Sequence, residues 1–234
     1  MTATADLAAY DWPDVERTLD ARGNAVLPGL LPAEQCGALA ALYPRAEGWR
    51  TRIIMARHGF GRGEYKYFAY PLPPLLHRLR HALYSRLAPV ANRWNRQLRI
   101  AAQYPDTLDA FLRRCHGAGQ TRPTPLILEY GAGDYNCLHQ DLYGAHVFPL
   151  QVTILLSAPG RDFTGGEFVM TERAGDGQRA EVVALRQGDA VVFAVDQRPV
   201  AGRRGIRRAA MRHGVSCVRS GRRHTVGLIF HDAR

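Results

Sequence analysis

Lysine is nearly absent from this chain. Lys66 is the only one in 234 residues, and arginine carries the rest of the basic excess behind a formal charge of +10. The choice of arginine over lysine can follow genome base composition and says little. The net positive excess does not follow that way, and it favours an acidic or polyanionic partner. No apolar run reaches the roughly 18–20 residues that span a bilayer, so no membrane-spanning helix is expected. The N-terminal MTATADLAAYDWPDVERTLD has no basic segment followed by an apolar one, as a secretory leader would, and a cytoplasmic protein is expected. Cys36, Cys115, Cys137 and Cys217 lie far apart with no CxxC pair, which argues against zinc-ribbon chemistry and for free thiols in a reducing compartment. Internal repeats and low-complexity linkers are also lacking. What remains is 46% hydrophobic and 22% charged, enough apolar material for a sizeable core in one domain over residues 1–234.

Two textures divide the chain. Residues 1–122 read as a helix-rich support and substrate-side region. Asp11 is placed to cap a helix that Gly23 would stop, and a second helix is expected from about Pro32. Leu75, Leu79, Leu83 and Leu87 recur every four residues, which predicts an amphipathic helix with basic residues on its other face. Pro89 is expected to bend or divide it. PDTLDAFLRRCHGAGQ adds a short helix ending in glycine. After Pro123 the runs PLILEY, VFPLQVTILLS, GEFVMTE, AEVVAL, DAVVFAV, HGVSCV and HTVGLIF are short, rich in β-branched residues and separated by turn signals. They predict a barrel or sandwich over 123–234 rather than βαβ units. The fold class expected is mainly β with α-helical N-terminal support.

Within this β region, YNCLHQDLYG sets His139 two positions before Asp141. On a strand those side chains would share a face, converging an imidazole and a carboxylate on one point. An HxD pair alone is commonplace, and a metal needs a third ligand. His213 is the candidate because it opens the run HGVSCV, with His146, His224 and His231 as competitors. Two histidines and one carboxylate on one face suit a non-haem iron with open coordination positions.

The flanking features extend the pattern. Tyr130-Gly-Ala-Gly precedes His139-Gln-Asp141, and Gly165-Gly166-Glu167 follows. Gly188-Asp189 comes next, then His213 and Arg223-His224-Thr225. In this order they resemble the Fe(II)- and 2-oxoglutarate-dependent dioxygenases, whose core is a double-stranded β-helix (jelly roll). VLPGLLPAEQC is similar to the lead-in segment of such enzymes. YGAGDYNCLHQD resembles the AlkB-type nucleic-acid demethylases, whereas the ten residues from His213 to Arg223 match the prolyl-4-hydroxylase-like branch. Leu128 stands where AlkB-type proteins carry asparagine, and the later arginines are spaced differently from theirs. The resemblance implies Fe(II), 2-oxoglutarate and O2, with His139, Asp141 and His213 as the catalytic iron ligands. It implies Arg223 on the distal carboxylate of 2-oxoglutarate, which a guanidinium meets with two parallel donors. Thr225 and Tyr130 would complete that cosubstrate site.

The implied reaction hydroxylates a C–H bond of a macromolecular substrate and releases succinate and CO2. The leading substrate reading is oxidative demethylation of alkylated nucleic acid, DNA or RNA. A protein side-chain hydroxylase is the alternative, and a metal-free jelly-roll binding module is a remote third. From Arg198 to Arg223 there are nine arginines and no acid, so a basic rim of Arg203, Arg204, Arg207 and Arg208 is expected at the site mouth. A second stretch, RHGFGRGEYKYFAYPLP, interleaves cations with aromatics, and Tyr65 and Tyr67 are its candidates for contact with bases.

Overall fold

A computed structural model describes residues 7–142, 144–175, 177–202 and 205–234. Four helices precede most of the β structure: α1 (Trp12–Arg22), α2 (Ala33–Ala40), α3 (Pro74–Gln97) and α4 (Leu108–Gly117). The Asp11 carboxylate accepts from the Asp14 amide at the start of α1, and Gly23 closes it in the left-handed conformation at φ 78°. Both signals act as the sequence expects.

Strands β1 (Asn24–Leu27), β2 (Trp49–Ile54), β3 (Gly61–Arg62) and β4 (Glu64–Phe68) lie among the helices. They are followed by β5 (Leu126–Tyr130), β6 (Tyr135–His139), β7 (Leu150–Leu155), β8 (Phe163–Gly165), β9 (Phe168–Ala174) and β10 (Gly177–Val183). The last five are β11 (Ala190–Ala194), β12 (Gln197–Gly202), β13 (Gly205–Val215), β14 (Val218–Gly221) and β15 (Arg223–Leu228). One sheet has the order β1-β11-β7-β15-β5-β4-β2 and the other β10-β9-β13-β6-β3, with β12 on β13 and a small β14-β8 pair. All the strand pairings are antiparallel. Two facing antiparallel sheets with strands alternating between them form the double-stranded β-helix.

Period-two alternation gives the larger sheet two different faces. Ile127, Val152, Ile154, Val226 and Leu228 join the main core with Leu76, Leu79, Leu83 and Leu87 of α3. Each such side chain contributes about 1.5–3 kcal/mol when fully buried. Tyr84, Phe111, Phe148 and Phe230 stack and tilt against one another at 5.0–5.9 Å, fastening α3 and α4 to this layer. The alternate residues Tyr130, Leu128, Thr153, Gln151, Arg223 and Thr225 face a cavity between the sheets.

Three local expectations change. Pro89 does not divide α3, which runs unbroken; Leu87, Ala88, Val90, Ala91 and Trp94 are all buried, so packing supports the helix on both sides of the proline. Nor is the basic face of α3 wholly solvated. Arg80 is buried and donates to the Ile229 carbonyl, the Tyr70 hydroxyl and the Asp232 carboxylate, each at 2.9 Å. Finally, β1, β2 and β4 come from the helix-rich half yet complete the larger sheet. Among the described residues no helix is long and apolar enough to cross a membrane.

His231, next to Asp232, is fully buried and accepts from the Phe148 amide at 3.2 Å. Burial, with Arg80 nearby, lowers its pKa from 6.5 to about 4. Between those values the unfolded chain binds a proton that the folded chain refuses. Stability therefore falls as pH drops through this window, by up to about 1.4 kcal/mol per pH unit. His231→Gln keeps an acceptor and should flatten that slope. Urea unfolding of both proteins from pH 7 to pH 4.5 measures it.

Candidate active site

The register between β6 and β13 sets His213 directly opposite His139. β6 ends at His139, so Asp141 follows the strand instead of lying on it. The chain leaves the ladder and brings the carboxylate back between the two imidazoles. Asp141 turns Oδ1 toward His139 Nε2 at 3.5 Å and Oδ2 toward His213 Nε2 at 3.4 Å. One ligand atom from each residue lies within 4.8 Å of the other two. His213 does not open a strand over HGVSCV, as the sequence suggests. It lies near the end of β13, and the chain breaks at Ser216 and Cys217 before β14. The register slips between His213 and Val215, where a side chain on Gly214 would meet the Asn136 carbonyl at 2.7 Å. Glycine at this point lets β13 approach β6 closely.

The donor set fits Fe(II). His139 Nδ1 lies 2.8 Å from the Cys137 carbonyl, so Nδ1–H donates there and Nε2 presents its lone pair to the centre. Burial, reinforced by His213, holds the His139 pKa below its ordinary value, and the neutral form is the one that ligates. Two imidazoles and one carboxylate on one side form the facial arrangement of non-haem Fe(II) sites. The competing histidines are engaged elsewhere: His224 pairs with Glu129 at 2.9 Å, and His231 belongs to the core. His146 lies outside the cluster.

Arg223 occupies the same cavity, of about 300 Å³, away from the triad. It is 1% exposed and stands opposite Tyr130 across the β15–β5 ladder. Its Nη1 donates to Thr225 Oγ1 at 3.5 Å, and Nε has no hydrogen-bond partner among the described residues. The guanidinium lies 5.6 Å from the Tyr130 ring centroid and 5.8 Å from that of Phe163. No carboxylate among the described residues forms an ion pair with it. Burial lowers its pKa to about 10, opposed by Tyr130 and Glu167, so the group remains a cation at neutral pH. Burial also pushes the Tyr130 phenol well up, opposed by Arg223, and keeps its O–H as a donor. Asn136 approaches that phenol without closing a well-formed hydrogen bond. A buried, uncompensated cation with neighbouring donors is a receptor for an anion, and a carboxylate matches its fork.

The glycine pair before Glu167 makes room beside Arg223. Gly165 and Gly166 have φ of 70° and 64°, and a side chain on Gly166 would meet Arg223 Cδ at 2.9 Å.

Tyr65 and Tyr67 line the cavity, their rings edge to face at 5.3 Å. Phe60 and Leu142 also line it and are 47% and 51% exposed. The arginine-rich stretch is placed differently from the expectation. Arg203 and Arg204 lie outside the described residues. Arg207 and Arg208 are exposed but do not line the cavity; they precede His213 by six and five residues on an extended strand, roughly 17–20 Å along it. Arg198 is buried and holds Glu172 at 2.6 Å, a structural pairing. Cavity residues that the sequence reading passed over include Gln151, Phe168 and Phe193. Alternation along β7, β9 and β11 is the signal that could have found them.

Removing the carboxylate should disable the metal centre. Anaerobic addition of Fe(II) and 2-oxoglutarate is expected to give a charge-transfer absorption band with the native protein and none with Asp141→Ala. No band in either protein would return the chain to the metal-free binding module.

The profile of the Oxygenase-NA family, described as oxygenases catalysing oxidative methylation of damaged DNA, matches residues 63–233. An uncharacterized protein found in two strains of Mycobacterium tuberculosis is 50% identical over 167 residues, which are 71% of this chain and 72% of that protein. A 2OG-Fe(II) oxygenase-family oxidoreductase from Burkholderia pseudomallei has the same fold, with a TM-score of 0.58 at 18% identity over 96% of this chain and 94% of that one. A prolyl-4-hydroxylase from Pseudomonas putida aligns with a TM-score of 0.56 at 17% identity, covering 95% of this chain and 99% of the other. With the His139, Asp141 and His213 cluster in this fold, the chain belongs to the Oxygenase-NA family and is an oxygenase of the Fe(II)- and 2-oxoglutarate-dependent class.

Proposed function

We propose that this oxygenase demethylates alkylated nucleic acid oxidatively, with single-stranded or unpaired DNA bases as the leading substrate. His139, Asp141 and His213 would hold Fe(II), while Arg223, Thr225 and Tyr130 would hold the distal carboxylate of 2-oxoglutarate. When bound, iron and 2-oxoglutarate supply the oxidising power for C–H hydroxylation, with succinate and CO2 as by-products. On an N-methyl group the product is a hemiaminal that separates into formaldehyde and the free amine.

The observation that carries the substrate reading is the aromatic wall leading from the triad to solvent. Tyr65 and Tyr67 flank the cavity, and Phe60 stands at its mouth, stacked on His58 with centroids 5.4 Å apart and planes at 22°. Arg57 and Arg62, three residues before and two after Phe60 in the chain, are exposed; they do not line the cavity and would add cations outside its ring faces. That combination suits a stacked base and its phosphate backbone. The match of the family described as acting on damaged DNA supports the same substrate class. Protein side-chain hydroxylation is the second reading, favoured by the ten-residue spacing of His213 and Arg223.

Succinate release separates the two. Turnover should be coupled to formaldehyde release with N-methylated single-stranded oligonucleotides and should stay at the uncoupled rate with peptide pools. Oligonucleotide affinity should fall steeply with added salt. Phe60→Ala should raise KM for the oligonucleotide about five- to hundredfold, with little change in 2-oxoglutarate binding. Hydroxylated peptide products with no oligonucleotide turnover would transfer the enzyme to the second reading.

A further inference from the structure

The cavity contains another buried donor, used by neither the triad nor the Arg223 cluster. Gln151 is 4% exposed, and its side chain lines the cavity from β7. Its amide Nε2 has no hydrogen-bond partner among the described residues. A buried amide left so costs stability, and in a cavity wall it is open to a ligand that would complete it. Its neighbour on the same face, Thr153, shows the contrast: that hydroxyl donates to the Val226 carbonyl at 3.2 Å.

Register places Gln151 at the triad end. It pairs with Phe193 on β11, and the Phe193 ring lies 4.6 Å from the His213 imidazole. On its other side, Leu155 faces Thr225 and Thr153 faces Gly227, so Gln151 stands four residues along β7 from the level of Thr225. The cavity therefore has donors spread along it: the Gln151 amide at the Phe193–His213 end, Thr225 four residues along, and Arg223 with Tyr130 two residues beyond, from where the long guanidinium side chain reaches back. 2-Oxoglutarate carries a carboxylate at each end, and the one next to its keto group is the end that chelates a metal. The mouth, marked by Phe60 and Leu142, is exposed, whereas Gln151 is buried. A donor so deep serves the molecule bound deepest.

We propose that Gln151 binds 2-oxoglutarate, its Nε2–H donating to the carboxylate beside the keto group, so that donors at both ends fix the cosubstrate. This rests on the Fe(II)- and 2-oxoglutarate-dependent class and not on the nucleic-acid reading.

The test is an anaerobic titration of the Fe(II) protein with 2-oxoglutarate, read by the charge-transfer band, for Gln151→Leu, Gln151→Glu and Arg223→Gln. Gln151→Leu should weaken 2-oxoglutarate about ten- to hundredfold, as loss of a hydrogen bond to a charged group does. Gln151→Glu, which sets one carboxylate against another, should weaken it further. Fe(II) affinity measured without 2-oxoglutarate should stay within about twofold, since no ligand is removed. The band at saturation should move in Gln151→Leu, where the iron-side carboxylate loses its donor, and stay in place in Arg223→Gln. Thermal unfolding of the ligand-free protein reports on folding, and Gln151→Met replaces the leucine variant if that one unfolds. A 2-oxoglutarate Kd within about threefold of the native value in a folded variant overturns the proposal. A raised KM for the macromolecular substrate with an unchanged 2-oxoglutarate Kd also overturns it and assigns the amide to that substrate. No band in the native protein would sink the assignment to the oxygenase class instead.

Discussion

The antiparallel pairing of β6 with β13 is the constraint on which the site depends. It sets His213 against His139, although 74 residues separate them in the chain (213 − 139). A slip of one residue would turn either imidazole to the opposite face of the sheet. The close approach at Gly214 permits that register, and the Cys137 carbonyl fixes which nitrogen His139 presents. Asp141 reaches the same point because β6 ends two residues earlier, at His139, and frees the chain to turn back. The candidate metal centre thus lies at a strand end, where a rigid ladder carries two of the three side chains and the following loop brings in the third.

Charge is distributed along the cavity by burial. Arg223 is a cation with no carboxylate partner among the described residues, and Asp141 is an anion between two imidazoles in the same cavity. Each would be costly left alone in a low-dielectric interior. A metal dication at the triad and a dicarboxylate reaching from it to Arg223 would satisfy both together. The other buried arginines differ, because their partners belong to the fold. Arg80 is paired with Asp232, and Arg198 with Glu172. The same side chain is therefore a strut in two places, and in the third it would serve as a receptor. Only the presence or absence of a protein carboxylate tells them apart.

Much of the fold was legible because its signals are local. Asp11 and Gly23 bound α1 through contacts within a turn, and the β-branched runs after Pro123 mark strands through their own alternation. The continuity of α3 through Pro89 and the burial of Arg80 are not legible for the opposite reason. A proline inside a helix and a cation on its flank are judged locally as a break and a solvated face, but packing against the sheet and the C-terminal Asp232 decides both. The arginines of 198–223 show the same limit. Their proximity in sequence to His213 suggested a rim, yet an extended strand carries Arg207 and Arg208 well away from it.

The sequence by itself determined the chemistry available: two imidazoles, a carboxylate and an arginine in an order that resembles the iron and 2-oxoglutarate oxygenases. Residue type and spacing are enough for that, because ligand chemistry resides in single side chains. Tertiary structure alone decided that His213 and not His224 or His231 completes the cluster, since the first lies across a ladder from His139 while the others are taken up by Glu129 and the core. It also decided that Arg223 has no counterion, and the Gln151 amide in the cavity no acceptor, among the described residues. Burial and pairing are properties of several strands at once, and no one stretch of chain encodes them.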